Sequence, residues 1–137
     1  MKDHARIGAE AIGESIRRAS RDSGQDEATG QEALGFLRMA QEIAAGHHEK
    51  WDGTGYPLGL AGPAIPLSAR LMALADVFDA LSTRRVYKEP WDFDHVDAYL
   101  RDNAGRHFDP ALIEAYASVR HEFRAITEQY ADTATPA

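Results

Sequence analysis

The sequence predicts an all-α protein, a helical bundle of about five helices. Two observations predict it. Apolar residues recur at spacings of three and four in five separate stretches, and no stretch alternates with a period of two. Helix-start chemistry, Asp92 in one place and Asp109 followed by Pro110 in another, stands directly before the last two stretches. A chain of 137 residues, 44% of them hydrophobic, suffices for one ordinary core and not for two domains.

The first helix is expected over residues 5–19, where Ile7, Ala11, Ile12, Ile16 and Ala19 form an apolar stripe. Residues 20–30 are polar and aperiodic and predict a mobile connection. A second helix is expected over 31–48, with Phe36, Leu37, Met39, Ala40, Ile43 and Ala44 as its apolar positions and His47 and His48 on its last turn. Gly53, Gly55, Gly59 and Gly62, interspersed with Pro57, Pro63 and Pro66, then predict a long loop, which more often signals function than filler. With Pro66 as an early helical residue, Leu67, Leu71, Leu74, Ala75, Val77, Phe78 and Leu81 line a helix to about residue 83 that should be buried on most sides, with Asp76 and Asp79 inside it. A basic loop, Arg84-Arg85-Val86-Tyr87-Lys88, leads to a helix over 93–103 capped by Asp92 and stopped by Gly105. The last helix starts after Asp109 and runs to about residue 129, giving one domain over 1–128 and a flexible tail over 129–137.

The formal net charge of −7, from 22 acidic and 15 basic residues, argues against a nucleic acid polymer as partner. A small anionic ligand is compatible if cations are concentrated locally or a metal is bound. The absence of cysteine excludes disulfides, thiolate metal sites and a cysteine nucleophile. No signal peptide or membrane segment is visible, so a cytoplasmic protein is expected.

Chemistry concentrates around residues 46–57. Adjacent histidines at a helix end suit metal binding or proton transfer. Neighbours on a helix point about 100° apart, so such a pair serves two ions of a cluster, or one ligand and one orienting group, better than a single chelated ion. The plainer alternative is a solvated helix end whose imidazoles favour the negative end of the dipole. A carboxylate at Asp76 or Asp79 on an oily helix is costly to bury unless it meets a metal or pairs with Arg70, Arg84 or Arg85. Histidine and aspartate together favour iron, manganese or zinc over calcium. Arg85 and Lys88 suit phosphate, although a short basic loop is more often a solvated connection. His95, His107 and His121 are isolated and read as surface or structural.

His47-His48-Glu49-Lys50-Trp51-Asp52-Gly53-Thr54-Gly55-Tyr56-Pro57, the run from Ile65-Pro66 to Arg70, Ala75-Asp76-Val77-Phe78-Asp79-Ala80-Leu81 and Gly105-Arg106-His107-Phe108-Asp109-Pro110 resemble successive motifs of the HD-GYP domain, and Met1-Lys2-Asp3-His4 resembles the motif just upstream. The resemblance implies an HD-domain-like helical fold and a centre of two or three divalent ions, iron or manganese ahead of zinc or nickel. It implies hydrolysis of the bacterial messenger cyclic di-GMP by water activated between ions. His4, His47, His48 and Asp76 match metal-ligand positions, Arg85 and Lys88 match phosphate-holding positions, and Gly55, Tyr56 and Pro57 form a loop linked to substrate access and partner contacts. No group beyond an activated water is implied as catalytic.

None of the six histidines is followed directly by aspartate, so the pair that gives the family its name is not in this sequence. Half of the implied metal site is therefore expected to be missing, the chain to be an N-terminally truncated domain, and its hydrolysis on its own to be negligible. Three readings follow: a piece of a cyclic di-GMP phosphodiesterase, a non-catalytic module binding a cyclic dinucleotide or a protein through Gly55-Tyr56-Pro57, or a helical domain that forms a homodimer through an exposed apolar face.

Overall fold

Helix propensity and capping account for most of the architecture. The computed structural model describes residues 3–22, 27–84 and 86–134, and among these the chain forms six α-helices and no strand. They are α1 (Asp3–Asp22), α2 (Glu27–Gly46), α3 (Leu67–Ser82), α4 (Phe93–Asp102), α5 (Pro110–Ser118) and α6 (Arg120–Ala134), with a short 3₁₀ turn at Gly62–Ala64. The expectation of an all-helical bundle of about five helices holds, with six among the described residues. None of these helices is long and apolar enough to cross a membrane.

Two boundaries differ from the sequence reading. Most of the connection expected over 20–30 is helical, since α1 runs to Asp22 and α2 begins at Glu27, while residues 23–26 lie outside those described. Residues of good helix propensity such as Arg21 and Glu27 sustain a helix without apolar periodicity. The last helix is two, broken at Val119, whose ψ of 17° departs from helical values. No glycine or proline marks this break, so it was silent in the sequence. α6 continues to Ala134, past the expected end at 129.

The chain divides into two compact units, Met1–Ala73 and Leu74–Ala137, with the division inside α3. In the first unit α1 packs on α2 through small residues. Ala5 is buried, a Cβ at Gly8 would lie 3.7 Å from that of Ala44, and one at Gly13 would lie 2.8 Å from Gln41 Nε2. Close backbone approach replaces bulky packing here. Ile7, Phe36 and Met39, assigned by spacing to inward faces, are consequently exposed.

α3 is not buried on most sides. Leu67 and Leu71 are exposed, and so are Asp76 and Asp79, so neither carboxylate bears the desolvation cost expected for one of them. Asp79 accepts a hydrogen bond from Thr83 Oγ1 (3.1 Å), and Arg84 pairs with Glu89 (3.3 Å).

The second unit carries the large core: Leu74, Val96, Leu100, Phe108, Ile113 and Tyr116. Phe123 meets Phe78 and Tyr116 edge-on at 5.0 and 5.1 Å, a geometry that adds to burial. Asp92 caps α4 by accepting from the His95 N–H, and Asp109 caps α5 by accepting from the Ala111 N–H, both as the sequence predicted. The buried Asp97 ties three helices: Tyr116 donates to it (2.8 Å), and Arg120 lies 2.8 Å away as an ion pair. The break at Val119 lets Tyr116 on α5 and Arg120 on α6 reach the same carboxylate.

Candidate metal centre

α2 ends at Gly46, one residue before the histidine pair. His47 and His48 therefore occupy the turn that closes the helix, where the His47 N–H still donates to the Ile43 carbonyl (3.0 Å). Their ring centroids are 3.9 Å apart. His4, in the first turn of α1, meets His48 edge-on at 4.9 Å, with the two Nε2 atoms 2.9 Å apart. One nitrogen from each of the three imidazoles lies within 4.8 Å of the others. His4 is exposed, and His47 and His48 are half-buried.

Two neighbours orient the pair. His47 Nδ1 lies 2.7 Å from the Ile43 carbonyl oxygen, which can only accept, so Nδ1 donates in this contact. The Tyr56 ring stacks on the His48 ring at 4.9 Å and 22°. The intervening loop is closed by local chemistry. Asp52 accepts from the N–H and hydroxyl of Thr54 (3.0 and 2.6 Å), and the Gly62 N–H donates to the Trp51 carbonyl (2.9 Å). Gly53, Gly59 and Gly62 take positive φ. Gly55 touches the backbone of the histidine turn so closely that a Cβ there would lie 2.4 Å from the Lys50 nitrogen and 2.5 Å from the His48 oxygen.

Sequence reasoning gave Glu49 no role, yet it is 2% exposed. Its two carboxylate oxygens accept from the N–H groups of Leu58 (2.7 Å) and Leu60 (2.9 Å) across the loop. The only signal in the sequence was an acid between a histidine pair and a glycine-rich stretch. The stacking of Tyr56 on His48 was equally invisible.

The other expected residues belong to the second unit. Asp76 belongs to the second unit and faces solvent on α3. Arg85 lies outside the described residues. Lys88 is exposed, with its ammonium 4.8 Å over the Trp91 ring. His95 pairs with Asp92 at the surface and His121 is exposed, in line with surface roles.

Three imidazoles gathered within 4.8 Å, one of them held against a backbone carbonyl, make a donor set that fits a divalent transition metal. A helical domain presenting such a cluster beside a glycine-rich loop defines a class of metal-binding α proteins. The family profile of the HD domain matches residues 28–112, well over half of the chain, and the chain belongs to the HD-domain family. A cyclic di-GMP phosphodiesterase of Vibrio cholerae is 48% identical over 134 residues, covering 98% of this chain and 25% of that protein. A cyclic di-GMP phosphodiesterase response regulator of Xanthomonas campestris is 42% identical over 95% of this chain and 30% of its own length. A 3′3′-cGAMP-specific phosphodiesterase of Vibrio cholerae is 41% identical over 96% of this chain and 22% of its own length. The chain spans about a quarter of the length of the curated relatives it matches.

Proposed function

We propose that this chain is a metal-dependent phosphodiesterase domain of the HD-GYP type whose substrate is cyclic di-GMP. The observation that carries the reading is the gathering of His4, His47 and His48 beside the Gly55-Tyr56-Pro57 loop. Relatives named for cyclic di-GMP hydrolysis support the substrate. Divalent ions, when bound, supply Lewis-acid activation of water and of phosphoryl oxygens.

The chain's own residues have narrower tasks. His47, His48 and His4 hold the ion, with Asp76 a further ligand on the strength of the resemblance. Iron or manganese is the proposed metal, ahead of zinc or nickel. Lys88 and Arg85 neutralise phosphate charge. Exposed Leu58, next to Pro57, supports a protein contact at the loop tip. Exposed Phe36 and Met39, one turn apart on α2, support pairing of two copies. The reading carries a cytoplasmic location.

The test uses this chain loaded with manganese. Calorimetry is expected to show cyclic di-GMP binding that EDTA abolishes and that Lys88→Ala weakens. Hydrolysis followed by chromatography should stay negligible for the isolated 137 residues, because in-line displacement between two ions needs more donors than the described imidazoles offer. Cyclic di-GMP binding that is absent, or indifferent to EDTA, would overturn the reading.

A further inference from the structure

We infer that Glu49 is a positioning residue for metal binding, acting through the glycine-rich loop and Tyr56 on His48. The inference rests on the metal-site reading above and goes beyond it, since Glu49 is not a ligand.

Both oxygens of the Glu49 carboxylate are occupied by N–H groups of Leu58 and Leu60, two residues apart on the loop. A carboxylate 2% exposed and matched to two backbone donors is held firmly, because a buried carboxylate that lost either bond would be costly to keep out of water. The loop so anchored returns to the histidine turn at two further points. The Tyr56 N–H donates to the His48 carbonyl (3.2 Å), and Gly55 lies against the backbone of residues 48–50 with no room for a side chain. These three attachments fix where the Tyr56 ring lies, which is stacked on His48. His48 thereby has Tyr56 stacked on its ring and His4 edge-on, 2.9 Å away at Nε2. Glu49 thus fixes the loop, the loop fixes Tyr56, and Tyr56 fixes the donor ring. Such outer partners of a ligating histidine commonly change metal affinity by about 10- to 100-fold.

Glu49→Gln tests this with little change of shape. The amide turns one acceptor into a donor facing the N–H of Leu58 or Leu60, so one attachment is lost. Cobalt(II) binding to the 137-residue chain, titrated by absorption well below the melting temperature, is expected to weaken about tenfold or more. Tyr56→Leu, which leaves Glu49 intact, should produce a similar loss and serves as the readout if Glu49→Gln does not fold. The double variant should lose little more than either single one, because both changes break the same linkage. A purely structural role would lower the melting temperature of the metal-free protein while leaving cobalt affinity at 25 °C unchanged. Wild-type cobalt affinity in Glu49→Gln, or in Tyr56→Leu, or losses that simply add in the double variant, would overturn the proposal. No cobalt binding by the parent chain would instead sink the metal-site reading, and this inference with it.

Discussion

At the scale of single residues, the second unit depends most on Asp97. Burial pushes its carboxyl upward, but the Arg120 guanidinium and the Tyr116 hydroxyl outweigh that and hold it below the usual carboxylate range. Burial, and then the hydrogen bond to Asp97, raise the Tyr116 phenol well above its ordinary value. A depressed carboxylate contributes stability that is present above its unfolded value, about 3.9, and is lost as pH falls through the lower folded value. A raised phenol contributes stability that is present below its unfolded value, about 10, and is lost as pH rises beyond it. The pair should therefore give a plateau across neutral pH with losses at both ends. Tyr116→Phe is expected to cost about 2 kcal/mol at neutral pH and to flatten the alkaline loss, as read by urea unfolding at several pH values. An unchanged alkaline limb would show that the hydroxyl and the carboxylate are not coupled. Nothing in the sequence marked Asp97, because a single acid on an amphipathic helix reads as solvated until three helices close over it.

At the scale of elements, start signals were legible wherever they are local. Asp92 and Asp109 cap α4 and α5 as read, since a cap needs only its own side chain and the next few N–H groups. The break at Val119 and the true inward faces of α1 and α2 were not legible, because they depend on what each helix packs against. The glycines make the same point in a testable form. Gly35, in the middle of α2, has nothing within 4 Å of where a Cβ would be, so Gly35→Ala should stabilise by about 0.5–1 kcal/mol through helix propensity alone. Gly55→Ala meets backbone at 2.4 to 2.6 Å, and backbone cannot rotate aside as a side chain can. It should cost about 1–3 kcal/mol or more and weaken metal binding as the loop is forced off the histidine turn. Thermal unfolding of both variants with and without EDTA measures the two effects, and a tolerated Gly55→Ala would contradict the contact. The histidine turn itself was half legible: the residues were identified, their position one step beyond the helix was not.

At the scale of the whole molecule, the first unit exposes Ile7, Phe36, Met39, Leu67 and Leu71. Apolar side chains left in water at this density favour association, and the proposed homodimer follows from them. Light scattering at micromolar concentration is expected to give twice the mass of one 15.1 kDa chain, falling to one chain for Phe36→Ser. A monomer at every concentration would remove that proposal. The sequence by itself determined the helical class, the helix caps and the residue types of the candidate metal site, because periodicity, capping and ligand chemistry are encoded over a few neighbouring positions. Only the tertiary structure decided that the chain forms two units, that Asp76 and Asp79 face solvent, and that His4 joins the histidine pair while Glu49 holds the loop beside it. Those outcomes depend on which surfaces meet across distances of nine to forty-four residues, and burial at that range is a property of the packed chain and not of any local pattern.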